Sequence, residues 1–156
     1  MEYSGEWGDL LTTETDIYAS LLRELAVALE SIATTQRRRA GEILFRQGQP
    51  ADGVLVLRQG KVRLCAGSHD AGEQRVPYRT VAAGYVLGLP ALFSGHSYSL
   101  TAEALEDCVL GFVERNKALE LVHQRVDLCF EAADVLAREL GSLREWQATH
   151  LVEQSS

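Results

Sequence analysis

Apolar residues follow two rhythms along the chain. Ile17, Leu21, Leu22, Leu25, Ala28, Leu29 and Ile32 recur at three- and four-residue steps, the spacing of one helix face. This predicts a helix over Thr15–Thr34, capped by Thr15 or Asp16, whose side-chain oxygens can accept from free first-turn N–H groups. Gln36–Arg39 then breaks the stripe with a basic patch. From Glu42 to Glu114 the texture changes to short runs rich in Val, Leu, Thr and Tyr, punctuated by glycine. Ile43–Phe45, Val54–Arg58, Lys61–Cys65, Tyr78–Val81, Tyr85–Leu87, Ser99–Leu105 and Val109–Val113 read as strands. Gln59-Gly60 reads as a tight hairpin turn, since glycine adopts positive φ cheaply. The polar run Ser68–Gln74 tips a second hairpin. Many short strands with regular turn signals imply a sandwich or barrel-like β body.

The helical period returns after Arg115. Asn116–Gln124 forms one helix and Asp127–Val152 a long second one. On the latter, Cys129, Ala133, Leu136, Leu140 and Leu143 recur in alternating steps of four and three, a narrow coiled-coil-type seam. Gly141 costs roughly 1 kcal/mol of helix propensity but permits close backbone approach.

Composition narrows the class. The 156 residues suffice for one domain with a proper core. Hydrophobic residues at 46% and charged residues at 24% exclude wholesale disorder. Fifteen Lys and Arg against 22 Asp and Glu leave a net charge of −7, which argues against a chain built to grip a phosphate backbone. No apolar run approaches the ~18 residues of a membrane span, and Met1–Gly8 is no signal peptide. Cys65, Cys108 and Cys129 form no CxxC pair, so they read as inert buried thiols in a reducing, cytoplasmic setting.

Two segments carry more than this. The first is Gly41-Glu42 followed by Arg46-Gln47-Gly48-Gln49-Pro50-Ala51-Asp52-Gly53 and the run through Gly60-Lys61-Val62. It resembles, without a gap, the opening of the cyclic-nucleotide-binding domain of Crp/Fnr-type regulators, although Leu55 replaces the usual aromatic residue. The second, Gly84 to Ala104, resembles that family's phosphate-binding cassette: a turn, a short helix and a loop leading into a strand. The resemblance spans about Gln36 to Val152. It implies an α+β, mainly β fold: an antiparallel double-stranded β-helix, a jelly-roll-like β-roll, with an N-terminal helix and a long C-terminal dimerisation helix. The expected organisation is a tail over 1–14, the roll with flanking helices over 15–125, and the long helix over 126–152. No helix-turn-helix domain is expected in this chain.

The cassette departs from the family pattern in its chemistry. In nucleotide-binding members a Gly-Glu pair opens the short helix, whose N–H groups meet the cyclic phosphate while Glu bonds the ribose. About ten residues later an Arg neutralises the phosphate. Here the Glu position is Leu89 and the Arg position is Tyr98, followed by Ser99. A buried phosphate without a cation is an expensive unpaired charge. The resemblance therefore implies a sensor whose effector is not cAMP bound in the standard mode. Its candidate pocket comprises Tyr85, Gly88, Leu89, Ala91, Phe93, His96, Tyr98 and Ser99, with Arg138 or Arg79 as a substitute cation. Such a lining suits an uncharged or weakly polar ligand.

The family's long helix makes a two-fold dimer, a role that suits the seam of Cys129, Ala133, Leu136, Leu140 and Leu143. The expected partners are thus a small-molecule effector and a second copy of the chain. Direct nucleic-acid binding and membrane contact are not expected. His96 as a metal or haem ligand lacks partners at ligand spacing, so no metal and no cofactor are expected. Arg37-Arg38-Arg39 reads as a solvated strand edge. Nucleophile elbows and Walker-type loops are absent, so the expectation is a non-enzyme. Two alternatives stand beside the sensor: a genuine cAMP or cGMP receptor with a rearranged phosphate site, and a ligand-free dimerisation module.

Overall fold

A computed structural model describes residues 23–67 and 76–155, with side chains to Thr149. The expected tail over 1–14, the first part of the N-terminal helix and the Ser68–Gln74 loop lie outside the described residues. In chain order the elements are α1 (Arg23–Glu30), β1 (Thr34–Arg38), β2 (Ile43–Phe45), β3 (Gly53–Gln59), β4 (Val62–Ala66), β5 (Val76–Val81), β6 (Val86–Leu87), α2 (Leu89–Ser94), β7 (Thr101–Ala104), β8 (Cys108–Glu114), α3 (Arg115–Gln124) and α4 (Val126–Ser155). The strands form two four-stranded antiparallel sheets, ordered β1-β8-β3-β6 and β2-β7-β4-β5. Two such sheets with flanking helices are the β-roll that the resemblance implies.

β3 is the centre of this arrangement. It runs between β8 and β6, and all its residues from Gly53 to Leu57 are buried. Strand alternation alone leaves every second residue exposed; here α1, α2 and α3 all reach β3, so both of its faces are covered. Gly53 sits where β3 and β8 come closest. A Cβ there would lie 2.2 Å from the Val113 carbonyl oxygen and 2.9 Å from the Phe112 ring.

Two expectations about the first half of the chain need correction. The N-terminal helix ends at Glu30 rather than Thr34, and Thr34–Arg38 is a strand, β1, paired along its length with β8. The strand is an edge with mostly exposed or half-buried residues, so it carries no apolar alternation for a sequence reading to find. Arg58 on β3 fixes the junction: its guanidinium pairs with Glu30 at 2.6 Å and donates to the Thr35 hydroxyl at 2.6 Å. Gly60 does turn the chain, with φ +100°, but β3 and β4 do not form a hairpin. The turn instead carries the chain from one sheet to the other. β4 and β5, by contrast, pair antiparallel as the second hairpin predicts.

Helix α4 packs against α1, α2 and α3, with Leu128, Ala132 and Val135 fully buried and Leu143 nearly so. The proposed seam is therefore split. Leu143 faces inward and Leu136 is half-buried, while Cys129, Ala133 and Leu140 remain exposed beside Val126 and Phe130. Phe130 is 72% exposed, the most open large apolar side chain among the described residues. Cys65 and Cys108 are buried as expected, but Cys129 is not. No described helix is long and apolar enough to cross a membrane.

Two glycines give opposite expectations. Gly53→Ala should destabilise the fold by ~1–3 kcal/mol, because the new methyl meets backbone rather than a movable side chain. Gly141→Ala meets open space within α4 and should stabilise it by roughly 0.5–1 kcal/mol. Urea unfolding of both variants beside the parent checks the pair.

Candidate functional site

The cassette is built around a short helix between two left-handed glycines. Gly88, with φ 89°, caps the start of α2, Pro90 occupies its first turn, and Gly95, with φ 75°, ends it by donating its N–H to the Ala91 carbonyl. Positive φ at both ends strains any other residue, so these glycines set the length of α2. The chain then runs back along the 48–50 turn. The Tyr98 N–H donates to the Gln49 carbonyl at 3.0 Å, and the Gly48 N–H donates to the Tyr98 carbonyl at 2.9 Å. Ser97 bridges to Pro50 alongside.

These bonds aim the Tyr98 side chain into the mouth of α2. Its ring stacks on Phe45 with centroids 3.9 Å apart and planes 15° from parallel. Its hydroxyl donates to the Gly53 carbonyl at 2.8 Å. The ring also lies over Gly88, where a Cβ would be 3.0 Å from Tyr98 Cε1. Burial raises the phenol's pKa above its ordinary value, opposed in part by that backbone hydrogen bond, so the group stays a donor at neutral pH. Leu89, at the Glu position, is fully buried in the core. The two residues that replace the expected charges have thus become packing.

A cavity of about 40 Å³ remains between the roll, α2 and α4. A water molecule needs roughly 10–15 Å³ by that measure, so the space holds a few waters as it stands. Of the candidate residues, Tyr85, Gly88, Ala91, Tyr98 and Ser99 line it. The other candidates lie elsewhere. Leu89 points into the core, Phe93 faces outward from α2, and His96 is exposed on the loop after Gly95. Arg138 is exposed and pairs with Asp134 one turn back at 3.4 Å, so it is no substitute cation in the cavity.

The residue next to it is the one that sequence reasoning missed. Glu139 lines the cavity, and its Oε1 accepts a hydrogen bond from the Tyr85 hydroxyl, joining α4 to the roll. A signal for it exists in the sequence: Leu128, Ala132, Val135, Glu139 and Leu143 share one helix face, and a carboxylate interrupts that buried stripe. Burial raises the Glu139 pKa, while the Tyr85 hydroxyl and the Arg79 charge pull it back. The Tyr85 phenol is pushed well up by burial and by the Glu139 charge. Arg79 stands behind Tyr78, donating to its hydroxyl at 3.1 Å with the guanidinium 4.9 Å from the ring centroid. Farther along α4, Trp146 meets the Tyr78 ring edge-on at 5.4 Å. The cavity is therefore closed on one side by α4 and its contacts to two tyrosines.

Comparison with known proteins fits this geometry. Residues 35–125, more than half of the chain, match the family described as Cyclic nucleotide-binding domain, and the chain belongs to that family. The chain's relatives include Crp/Fnr-type regulators. It is 26% identical over 140 residues to the Anaerobic regulatory protein of Bacillus subtilis (strain 168), covering 89% of this chain and 52% of that protein. The catabolite activator protein of Thermus thermophilus superposes with a TM-score of 0.62 at 25% identity, covering 85% of this chain and 59% of that one. The c-di-GMP responsive regulator CLP of Xanthomonas campestris shares the fold, with a TM-score of 0.64 at 15% identity over 80% of this chain and 62% of that one. The chain thus spans about half the length of the Bacillus relative.

The buried carboxyl predicts a pH dependence. An acid whose pKa is raised on folding binds its proton more tightly when folded, so stability falls as pH rises from the ordinary carboxylate range through the raised value. Glu139→Gln keeps an acceptor for Tyr85 and removes the charge. It should gain stability relative to the parent as pH is raised from 4 to 8 along this series and then level off. A parent–variant difference that stays flat across the series, read by urea unfolding, contradicts the assignment.

Proposed function

We propose that this chain is the sensory domain of a Crp/Fnr-type regulator whose effector is not a cyclic nucleotide held in the family's usual mode. The observation that carries this reading is Tyr98. Its ring occupies the space before the first turn of α2, stacked on Phe45 and tied to Gly53, at the position where the family pattern has an Arg. A cyclic phosphate at that turn meets an uncharged ring, and across the cavity it faces the Glu139 carboxylate. Loss of an Arg–phosphate pair alone is worth ~1.5–3 kcal/mol.

The output runs through α4. Its inner face lines the cavity with Glu139, Leu140 and Leu143, and its outer face presents Phe130, Ala133 and Val126. A second copy of the chain packed along that outer face makes a homodimer in which cavity and interface share one helix. An effector biases the position of α4 only as far as it binds one position more tightly than the other. The role is regulatory rather than catalytic, in the cytoplasm, and the −7 charge leaves nucleic-acid contact to other chains or domains. The small cavity also favours a second reading, a dimerisation module that binds no ligand.

Calorimetric titration with cAMP and cGMP should give no binding in the micromolar range; micromolar binding of either overturns the sensor reading. Phe130→Asp should weaken self-association at least about tenfold, since it places a charge in an apolar seam. Light scattering reads the mass, and an unchanged mass in the variant removes α4 as the interface.

A further inference from the structure

A carboxylate is a costly side chain on a helix face that otherwise buries Leu128, Ala132, Val135 and Leu143. Glu139 nevertheless stands there and lines the cavity. Its Oε1 accepts from Tyr85, and among the described residues no other hydrogen bond reaches the carboxylate. An ionised carboxylate offers about four lone-pair sites, so Glu139 can accept further hydrogen bonds from a molecule in the cavity. Arg79 contributes its charge from behind Tyr78 and does not line the cavity. The rest of the wall mixes apolar side chains such as Phe45, Leu64 and Leu100 with Tyr78, Tyr98 and Ser99, and Glu139 is its one ionisable carboxyl.

From this arrangement we infer that the cavity selects a small hydrogen-bond-donating cation, of amidinium or alkylammonium type, which pairs with the Glu139 carboxylate. The inference rests on the reading that the cassette is not a cyclic-nucleotide site, and it names the chemistry of the effector that replaces one. The cation donates to the Glu139 carboxylate, and such charge-assisted hydrogen bonds are stronger than neutral ones. A cavity of about 40 Å³ limits the part inside it to a few heavy atoms. Because Glu139, Leu140 and Leu143 lie on α4, the bound cation holds that helix directly against the roll.

Acetamidinium, acetamide and acetate have nearly the same shape and differ in charge, so they test the selection without changing the fit. The full chain, labelled with ¹⁵N, is titrated with each at constant ionic strength and pH 8. Acetamidinium should shift the Tyr85, Gly88 and Ala91 amides saturably, in the millimolar range appropriate to so few atoms. Acetamide should bind about tenfold more weakly, the scale of a hydrogen bond to a charged group, and acetate more weakly still. Glu139→Gln should reduce acetamidinium to the level of acetamide. Tyr85→Phe, which frees Oε1, should tighten acetamidinium and carries the test if Glu139→Gln fails to fold. Acetate binding as well as acetamidinium, no saturable shift with acetamidinium, or unchanged selectivity in Glu139→Gln overturns the inference. Titration of the same sample with cAMP separates the two readings: micromolar cAMP binding defeats the sensor reading, whereas a preference for acetate defeats only the cation.

Discussion

The structure depends on where Tyr98 can go. Its ring touches three elements at once: β2 through Phe45, the α2 cap through Gly88, and β3 through the Gly53 carbonyl. In a phosphate-binding cassette the turn before the short helix must stay open, because backbone N–H groups there face the anion. Here the turn is retained and its opening is filled. Gly88, whose missing Cβ otherwise lets a ligand approach, lets an aromatic ring approach instead. The hydroxyl bond to Gly53 anchors the ring to β3, the strand that the helices and both neighbouring strands hold in place. Moving Tyr98 aside therefore means giving up a buried hydrogen bond and a ring stack together.

Helix α4 follows from this closure. With the mouth of α2 filled, the space left lies farther along, between Tyr85, Ser99 and the helix. Glu139 enters it from α4 and meets Tyr85, while Leu143 and the Trp146–Tyr78 contact hold the next turns down. The opposite side of the helix carries Val126 and Phe130 into solvent. One rod thus has an inner face lining the cavity and an outer face in solvent.

Much of this was legible in the residues. The seven strands marked by alternation and glycine are present, and the gap-free cassette spacing located Tyr98 and Ser99 at the cavity wall. β1 escaped because an exposed edge strand needs no apolar alternation; its Thr-Thr-Gln-Arg-Arg run is held by backbone pairing to β8 and by Arg58. Gly60 announced a turn but not its destination, since a sheet-to-sheet corner and a hairpin use the same positive φ. Arg138 is a cation by residue type, and its direction depends on a helix rotation that the sequence does not display. The rotation of α4 points it at solvent and turns Glu139 inward. Of the seam Cys129, Ala133, Leu136, Leu140 and Leu143, the structure buries Leu143, half-buries Leu136 and leaves the other three exposed, because a helix covered on one side can share its apolar residues between two faces.

The proposed function rests on Tyr98 filling the turn before α2, at the position where the family pattern has an Arg. Crystals grown in saturating cAMP test it directly. Electron density should show Tyr98 stacked on Phe45 with its hydroxyl on the Gly53 carbonyl, and no nucleotide at the first turn of α2. Tyr98 swung away, with a cyclic phosphate on the Leu89 and Ala91 N–H groups, would contradict it.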